Sequence, residues 1–467
     1  MLFDLKTYDS NTAVITEAGL TLTYAQLELA ADAITEDMQP RKLTFCLCEN
    51  TIGSLAGYVG FMTRNIPTVL LDGSKELGVI LSLIDYYQPQ YIWCPTRRVE
   101  ELNRGCRVTE YENYTLLQNG EQDYEIHPDL LLCLTTSGTT GSPKLVRLTA
   151  RSLESNAEAI AEYLHITADE RAITSLPMYY SFGMSVINSH LIKGATLLLT
   201  DKAVVQRGFL TFLKEGRATS IAGVPYTYEM LRRLRFMRME LPDLKTMIQA
   251  GGKLNVDIAK EFIEEAKAKG KQFIVMYGQT EAAPRMSYLP FESALEKYAS
   301  IGIAIPGGRF SIHDADDHKI TEPYTDGELV YEGPNVCMGY AECIEDLAKG
   351  DENHSVLHTG DVAHFDSDGF FYITGRMKRF VKVWGNRCNL DATEQLVKTV
   401  TTDCACVGVD DKITVFVTEE GLEGQIKTYL TEKTGLNIRA FDVKVIEQIP
   451  TKDSGKLDYQ KLQTMIA

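Results

Sequence analysis

The sequence predicts an α/β protein with a large N-terminal domain built on mostly parallel strands and a small α+β domain at the C-terminus. Short β-prone apolar runs alternate with amphipathic helical segments through residues 12–94. Such alternation is typical of parallel strands joined by crossover helices. The chain has 467 residues, which is more than one hydrophobic core supports, so we expect two or more domains.

The predicted elements follow one another at short intervals. Strands are predicted at residues 13–15 and 20–22, and Thr23 can cap a helix over residues 24–34, whose apolar residues recur at helical spacing. Residues 97–128 are polar and irregular, and they predict no regular element. The further predicted elements are strands at 43–47, 67–71, 91–94 and 273–276, helices at 52–64, 80–87 and 152–163, a hairpin of strands 404–409 and 412–417, and helices at 424–432 and 457–465.

Composition and charge narrow the functional classes. The net charge of −17 argues against nucleic acid or an anionic membrane as the main partner. The sequence begins without a basic region followed by an apolar core, and no apolar run reaches about 18 residues, so we expect a cytoplasmic protein with no membrane insertion.

The pairs Cys46/Cys48 and Cys404/Cys406 are each spaced by two within apolar runs, which predicts buried free thiols rather than metal ligands or a disulfide framework.

One loop carries the strongest chemical signal. Residues 135–144 read Thr-Thr-Ser-Gly-Thr-Thr-Gly-Ser-Pro-Lys, and two apolar, β-prone runs flank them. Glycines let backbone N–H groups approach an anion closely, while hydroxyls and a lysine suit phosphate oxygens. The loop is therefore predicted to bind a polyphosphate through Thr136, Ser137, Gly138, Thr139, Thr140, Gly141 and Lys144.

This loop is not a Walker A loop, because Pro143 precedes Lys144 and Leu145 follows it, where that pattern has Gly and Ser or Thr. A polar hairpin turn is the alternative interpretation, and ten residues are long for a turn. The loop resembles the phosphate loop of the adenylate-forming superfamily, which includes acyl- and aryl-CoA synthetases, adenylation domains of peptide synthetases, and luciferases. The resemblance covers nearly the full length of the chain, with the motifs in the same order.

Two segments resemble the parts of this superfamily that border the carboxylate pocket. Residues 176–184 are similar to a Leu-Pro-x-x-His-x-Phe-Gly segment, although Tyr180 stands where the family often has histidine. Amino-acid-activating relatives carry an aspartate in this region, and this stretch has no acid, which disfavours an α-amino acid. An aromatic-rich buried strand and turn is the alternative interpretation. The resemblance implies acyl-site roles for Tyr180, Ser181, Phe182, Gly183, Gly223 and Val224.

The second strong signal is Tyr277-Gly278-Gln279-Thr280-Glu281, which follows a predicted buried strand. Ligands bind at the carboxyl ends of strands in open α/β sheets. Tyr277 can stack on adenine, Thr280 can bond a phosphate, and Glu281 can hold Mg²⁺, which prefers few carboxylates together with phosphate oxygens. The superfamily's Tyr-Gly-x-Thr-Glu motif implies the same roles and counts Gly278 and Gln279 with the nucleotide-binding residues. In relatives the turn that corresponds to Ala250, Gly251 and Gly252 lies against adenine, and a plain strand-to-helix turn is the alternative interpretation.

Further along the chain, Gly-rich segments from residue 302 to residue 340 resemble the family's β-rich subdomain. Asp361 and Arg376 match the ribose ligands of the superfamily, and Tyr372 in the same segment is counted with the nucleotide-binding residues. A carboxylate can bind both ribose hydroxyls, and an arginine can reach ribose or phosphate. An aspartate and an arginine alone usually form an ion pair, so this assignment rests on order and spacing.

The resemblance divides the chain into an N-terminal ATP- and acyl-binding domain over residues 1–375, a hinge over 376–382 at Lys378, and a mobile C-terminal lid domain over 383–467. Residues 450–457 resemble the family's Pro-x-Thr-x-x-Gly-Lys loop, which makes Lys456 the catalytic lysine together with Thr280 and Glu281. A lysine on a glycine loop is ordinarily only solvated, so its role depends on this position in the family pattern.

The activity that the resemblance implies is a two-step ligation. A small carboxylic acid attacks the α-phosphorus of ATP, with Mg²⁺ on the phosphates, and the acyl-adenylate then passes to the thiol of CoA or of a carrier-protein phosphopantetheine. Three alternatives stay open: an aminoacyl or acyl ligase for a carrier protein, an enzyme that transfers the acyl group to an amine or a hydroxyl, and a non-catalytic nucleotide-binding module. The presence of Lys456, Glu281 and Asp361 together argues against a non-catalytic nucleotide-binding module.

Replacement of the hinge lysine tests the predicted domain rotation. Proline fixes φ and removes an N–H group, so Lys378→Pro is expected to spare acyl-adenylate formation and to abolish thioester formation. The two steps are measured separately, by ATP–pyrophosphate exchange and by thioester yield, with Lys378→Ala as the control that removes only the charge. Equal loss of both steps in Lys378→Pro would contradict the hinge.

Overall fold

The computed structural model describes residues 2–135, 144–384, 386–451 and 457–466. The α-helices are α1 Tyr24–Thr35, α2 Ile52–Thr63, α3 Leu77–Tyr87, α4 Val99–Leu102, α5 Ala150–Tyr163, α6 Ser181–Leu191, α7 Arg207–Glu215, α8 Pro225–Arg233, α9 Val256–Ala268, α10 Leu390–Lys398, α11 Glu423–Thr434 and α12 Tyr459–Thr464.

The strands of the first part of the chain are β1 Thr12–Thr16, β2 Thr21–Thr23, β3 Thr44–Cys48, β4 Thr68–Asp72, β5 Tyr91–Pro95, β6 Cys106–Tyr111, β7 Tyr114–Gln118, β8 Leu130–Thr135, β9 Leu145–Thr149, β10 Arg171–Ile173, β11 Thr196–Leu199, β12 Ser220–Gly223, β13 Thr246–Gln249, β14 Gln272–Gly278, β15 Arg285–Tyr288 and β16 Ile303–Ala304. Those of the second part are β17 Arg309–His313, β18 Lys319–Ile320, β19 Gly327–Glu332, β20 Gly339–Ala341, β21 Val356–Phe365, β22 Phe371–Arg376, β23 Phe380–Val383, β24 Asn386–Asn389, β25 Cys404–Val409, β26 Lys412–Val417 and β27 Phe441–Val445.

The chain divides into two compact units, which we call unit 1 (residues 1–309 and 331–357) and unit 2 (residues 310–330 and 358–467). Unit 1 contains two large sheets, one with the order β16-β15-β14-β13-β12-β10-β11-β1-β2 and one with the order β20-β9-β8-β4-β3-β5-β7-β6. The middle strands of each sheet are parallel and the outer strands are antiparallel. The predicted α/β class with mostly parallel strands is confirmed.

The main hydrophobic core of unit 1 lies between its two sheets. It collects buried side chains from both sheets and from α1, α2, α5 and α6, so these helices fill the space between the sheets. Helix α1 begins at a capping box in which Thr23 accepts from the Gln26 amide and the Gln26 side chain accepts from the Thr23 amide. The predicted cap at Thr23 is therefore confirmed. Every residue of α6 is buried in this core.

Unit 2 contains a five-stranded sheet with the order β18-β17-β19-β21-β22, a two-stranded sheet β23-β24 and a three-stranded sheet β25-β26-β27. The five-stranded sheet, which contains Gly327-Glu328-Leu329 in β19, is the predicted β-rich subdomain. The predicted segments at residues 302–308 and 339–340 fall instead at β16 and β20, in the large sheets of unit 1. The predicted hairpin is β25–β26, and α10, α11 and α12 complete the α+β C-terminal part. The division at residues 375 and 383 with a hinge between them stays a prediction.

Two predictions from the sequence were wrong. Residues 97–128 contain α4 and the strands β6 and β7, although we expected no regular element there. Strand β6 lies at the edge of its sheet and is largely exposed, so its polar residues carry no apolar pattern. The alternative of a buried strand and turn for residues 176–184 also fails, because Ser181 begins helix α6.

The cysteine prediction is confirmed: Cys46, Cys48, Cys404 and Cys406 are buried free thiols. Burial raises the pKa of Cys46 and of Cys406 well above the ordinary thiol value, so these thiols stay protonated. Among the described residues, no helix is both long and apolar enough to cross a lipid bilayer.

Close packing of α2 against β5 gives a test of the core. A Cβ atom at Gly57 would lie 2.2 Å from Nε1 of the fully buried Trp93. Gly57→Ala is expected to lower the free energy of unfolding, because overpacking costs about 1–3 kcal/mol and exceeds the ~1 kcal/mol that alanine gains over glycine in a helix. The measurement is the urea midpoint of the transition of unit 1.

The matched control is Gly78→Ala in α3, where an added Cβ meets nothing within 4 Å. Its urea midpoint should stay equal to that of the unchanged protein or rise. An equal rise in both variants would show that α2 and β5 are not tightly packed.

Candidate active site

Three neighbouring parallel strands end at the same edge of the large sheet in unit 1. Strand β12 ends at Gly223, β13 ends at Gln249 just before Ala250, Gly251 and Gly252, and β14 ends at Gly278. The predicted acyl, adenine and phosphate residues of these segments therefore lie together at the carboxyl edge of the sheet, where open α/β sheets bind ligands.

The chain reverses direction sharply after β14. Thr280 and Glu281 lie in a 3₁₀ turn, Thr280–Ala282, and β15 then pairs back antiparallel with Gly278 opposite Arg285. A Cβ atom at Gly278 would lie 1.9 Å from the Pro284 carbonyl oxygen, so only glycine fits there. The reversal presents Thr280 and Glu281 directly beyond the strand end.

Glu281 is joined to the phosphate-loop lysine through Tyr340. The Tyr340 hydroxyl donates to Glu281 Oε1 at 2.8 Å, and Lys144 Nζ lies 3.8 Å from the centre of the Tyr340 ring. Lys144 also forms a 3.0 Å ion pair with Glu342. Burial, together with the neighbouring Glu281, raises the pKa of Tyr340, so its hydroxyl keeps the proton that it donates.

Strand pairing explains how Lys144 arrives at this position. Strand β20 carries Tyr340 and pairs antiparallel with β9, which starts directly after Lys144. Strands β8 and β9 also pair with Thr135 opposite Leu145, so the two ends of the phosphate loop are neighbours. Residues 136–143 lie outside the described residues, and the roles of Thr136, Ser137, Gly138, Thr139, Thr140 and Gly141 stay predictions.

The predicted acyl residues meet around Gly251. An added Cβ there would lie 2.7 Å from the Tyr180 hydroxyl and 3.0 Å from Val224, and the Gly251 φ of +84° also favours glycine. The Tyr180 and Phe182 rings contact edge to face, 6.3 Å apart. Burial raises the pKa of Tyr180 to about 12, so the hydroxyl is neutral at physiological pH. Tyr180, Phe182 and Val224 therefore form one surface around the Gly251 turn, which we call the acyl surface.

Helix α6 joins this acyl surface to the Thr280 turn. The Ser181 and Thr280 hydroxyls are 3.1 Å apart. Gly183 faces the Pro177 carbonyl oxygen, which would lie 2.2 Å from an added Cβ atom, and not the acyl surface. This glycine therefore allows close packing of the chain. The side chains of Gln279 and Tyr277 also contact, with Gln279 Nε2 3.4 Å from the Tyr277 hydroxyl.

Two residues of this site were missed in the sequence. Tyr340 stood in a segment that we attributed to the fold, and its partner Glu281 is 59 positions away. Arg285 carries no local signal as one residue of a short strand, yet its side chain is 1% exposed and its guanidinium lies 4.2 Å from the centre of the Phe182 ring. Both contacts join residues that are remote in sequence, so no local sequence pattern predicts them.

The predicted ribose ligands lie in unit 2. Asp361 on β21 and Arg376 on β22 are register partners, and Arg376 Nε lies 2.8 Å from the Asp361 carboxylate. Tyr372 lies on the same strand, four residues before Arg376. Its hydroxyl donates to the Asp366 carboxylate at 3.0 Å. The structure brings Asp361 and Arg376 together and pairs Tyr372 with a different acid. Ribose binding by these residues stays a prediction.

Lys456 lies outside the described residues, which resume at Leu457 opposite Thr451 in an isolated bridge. Lys378 lies in the 3₁₀ turn Met377–Arg379. The next residue, Arg379, is fixed to the C-terminal part of unit 2 by ion pairs with Asp391 and Glu394. The predicted catalytic and hinge roles of these two lysines are not tested by this geometry.

The family model described as "AMP-binding enzyme" matches residues 4–341, which is most of the chain. The chain belongs to the AMP-binding enzyme family. The adenylate-forming resemblance drawn from the phosphate loop is thereby confirmed.

Several members of the AMP-binding family are similar to this chain along much of its length. A feruloyl-CoA synthase from Amycolatopsis sp is 28% identical over 351 residues, which are 70% of this chain and 68% of that protein. An indoleacetate–CoA ligase from Aromatoleum aromaticum is 28% identical, over 74% of this chain and 69% of that protein. A 2-succinylbenzoate–CoA ligase from Bacillus cereus is 23% identical, over 94% of this chain and 97% of that protein.

Solved structures of the AMP-binding family share the fold. ATP-bound MatB from Rhodopseudomonas palustris superposes with a TM-score of 0.82 at 21% identity, covering 99% of this chain and 97% of that one. The o-succinylbenzoate CoA synthetase MenE from Bacillus subtilis, in complex with its acyl-adenylate, gives 0.78 at 20% identity, covering 97% and 96%. These likenesses confirm the predicted fold class over the whole chain.

The Tyr340 contact gives a prediction for this AMP-binding enzyme. Tyr340→Phe keeps the ring over Lys144 and removes the donor to Glu281, so a metal ion on Glu281 should bind less tightly. Loss of an outer-shell partner of a metal ligand costs about 10–100-fold in affinity, and the half-saturating Mg²⁺ concentration in ATP–pyrophosphate exchange should rise accordingly.

The control for this change is Tyr324→Phe, which removes the same hydroxyl from an exposed tyrosine of unit 2. It should leave the Mg²⁺ dependence unchanged. A Tyr340→Phe enzyme with the Mg²⁺ dependence of the unchanged protein would show that Tyr340 does not orient the metal ligand.

Proposed function

We propose that this protein is an AMP-forming acid–thiol ligase that activates a small carboxylic acid with ATP and passes the acyl group to CoA. The observation that carries the proposal is the 3.1 Å contact between Ser181 of the acyl segment and Thr280 of the nucleotide motif. This contact supports an acid site directly beside the phosphate site. The activities of three similar proteins, a feruloyl-CoA synthase and two further CoA ligases, support the same chemistry.

The reaction has two steps. A carboxylate oxygen attacks the α-phosphorus of ATP in line, the bond to the bridging oxygen breaks, and pyrophosphate leaves with the electron pair. The thiol of CoA then attacks the acyl carbonyl carbon, loses its proton, and AMP leaves. Both steps depend mainly on positioning and on neutralisation of the charge that develops, since they need no covalent intermediate on the protein.

Each predicted residue has a task in this scheme. The phosphate loop and Lys144 hold the β- and γ-phosphates, and Thr280 bonds the α-phosphate. Tyr277 and the turn of Ala250, Gly251 and Gly252 hold adenine, and Asp361 and Arg376 of unit 2 hold the ribose. Lys456 binds the carboxylate and the bridging oxygen, where negative charge develops.

The residues present fit a magnesium ion. Tyr340 donates to one oxygen of Glu281, which fixes the carboxylate and leaves its other oxygen to bind a cation. Mg²⁺ typically takes one or two carboxylates together with phosphate oxygens and water, so Glu281 beside the phosphates suffices. When bound, the ion neutralises phosphate charge. The protein groups orient the phosphates around it.

The acid is not an α-amino acid in this proposal. An ammonium group needs a carboxylate, and the described acyl residues Tyr180, Ser181, Phe182 and Val224 supply none. The buried guanidinium of Arg285 behind Phe182 would also repel an ammonium ion. These features disfavour the aminoacyl-ligase alternative that the sequence left open.

The acceptor of the acyl group and the cellular compartment are proposed from the same chemistry. CoA is the first choice of acceptor because similar proteins are CoA ligases, and a carrier-protein phosphopantetheine presents the same thiol. We place the enzyme in the cytoplasm, where ATP and CoA are found, and assign it no nucleic-acid partner because its net charge is −17. Rotation at residues 376–382 exchanges Lys456 for the thiol between the steps.

The test is ATP–pyrophosphate exchange over a mixed panel of carboxylic acids. One class of acids should stimulate exchange, and Lys456→Ala should lower that exchange by about 10²–10³-fold, as loss of one preorganised charge-stabilising group typically does. The matched control is Lys461→Ala, an exposed lysine of α12 in the same C-terminal segment, which should retain the exchange rate.

Two results would contradict the proposal. Exchange in Lys456→Ala at the rate of the unchanged protein would remove Lys456 from catalysis. ATP binding with no exchange for any acid would favour a non-catalytic nucleotide-binding module.

A further inference from the structure

Arg285 is a fully buried cation with an incomplete set of partners. Its Nε donates to the Ser185 hydroxyl at 3.2 Å, its Nη1 contacts the sulfur of Met276, and its guanidinium lies over the Phe182 ring. Its Nη2 is buried and has no hydrogen-bond partner among the described residues. No carboxylate in the described part of the chain forms an ion pair with it.

A second buried arginine in unit 1 shows how this fold satisfies a structural guanidinium. Arg147 is also fully buried, and it donates to Glu352 at 2.5 Å and to the backbone carbonyls of Met338, Tyr340, Lys349 and Gly350. Its charge is paired and every branch of its side chain is used. Arg285 has the Ser185 hydroxyl, the nearby Tyr163 hydroxyl, one sulfur and one aromatic face in place of that set, and none of these is an opposite charge.

An unpaired buried charge is strongly destabilising, because desolvation is not compensated by an opposite charge. A buried polar atom without a partner in a native structure needs an explanation, and a catalytic role or a bound ion is among the usual ones. A guanidinium only donates hydrogen bonds and binds carboxylates through two parallel ones, so an anion would complete the partners of Arg285.

Helix α6 relates Arg285 to the reacting end of the acid. Ser181 at the start of the helix contacts Thr280, and Ser185, one turn later on the same face, accepts from Arg285. One turn of a helix is about 5.4 Å long. Phe182 lies between the two contacts, with its ring toward Arg285 and toward Tyr180. Thr280 and Arg285 therefore contact hydroxyls that lie one turn apart on the same helix.

We propose that Arg285 is the specificity-determining group of the acyl pocket and that the acid activated by this enzyme is a short dicarboxylic acid. One carboxylate reacts beside Thr280, and the second pairs with the Arg285 guanidinium behind Phe182. This proposal rests on the proposed acyl-adenylation and names its substrate class. It also explains why a site with aromatic walls contains a buried cation.

The decisive experiment compares matched acids with the unchanged protein, so it needs no variant. For each chain length from malonate to adipate, ATP–pyrophosphate exchange is measured with the dicarboxylate, its monomethyl ester, and the monocarboxylate that ends in a methyl group. At the best length the dicarboxylate should exceed both neutral-ended acids in kcat/KM by at least about 100-fold, because a site built to pair a polar group rejects analogues that lack it.

Arg285→Met then tests whether this preference comes from the arginine. The variant should lose exchange with the dicarboxylate and gain exchange with the methyl-ended acid, so that the ratio of the two inverts. Arg285→Lys should retain part of the preference, since it keeps the charge and loses the paired geometry. The dicarboxylate alone should raise the melting temperature of the unchanged protein and leave that of Arg285→Met unchanged.

The outcomes separate the two proposals. Equal kcat/KM for charged and neutral-ended acids would overturn the role of Arg285 and leave acyl-adenylation standing. Equal loss of both acids in a folded Arg285→Met would also overturn it, because Arg285 would then act on the reacting carboxylate or on the fold. Exchange with no acid at all would overturn acyl-adenylation itself. If Arg285→Met does not fold, the acid series with the unchanged protein decides.

Discussion

The site depends on the tight reversal of the chain between β14 and β15. Gly278 permits it, because the Pro284 carbonyl occupies the space that any Cβ would need. The same few residues then deliver Thr280 and Glu281 beyond the strand end and return Arg285 beside Gly278. One backbone constraint therefore sets the distance between the groups that meet the phosphates and the cation that lies behind Phe182.

The second organising contact connects the two sheets of unit 1. Glu281 follows a strand of one sheet, and Tyr340 lies on the outer strand β20 of the other. The hydroxyl of Tyr340 orients the carboxylate while its ring face holds Lys144. A single partly buried side chain thus couples the expected metal ligand to the phosphate-loop lysine, and a shift of one sheet against the other would disturb both.

Local signals predicted much of this fold. Helix α1 was recognisable because Thr23 and its apolar spacing lie within one segment, and the hairpin β25–β26 because Asp410-Asp411 separates two apolar runs. Strand β6 was missed because an exposed edge strand has no buried face to pattern its residues. Arg285 and Tyr340 were missed as site residues because Ser185 and Glu281, their partners, are remote in sequence. Sequence motifs predict which residues bind the substrates, and only the tertiary structure shows which neighbours orient those residues.

The central claim is that a carboxylate oxygen attacks the α-phosphorus of ATP, and the fate of that oxygen tests it most directly. With an acid labelled with ¹⁸O in its reacting carboxylate, turnover to the thioester should leave one ¹⁸O atom in each AMP and none in pyrophosphate. Mass spectra of the two products measure this without any variant. Label in pyrophosphate or inorganic phosphate, with unlabelled AMP, would mean that activation occurs at another phosphorus and would contradict acyl-adenylate formation.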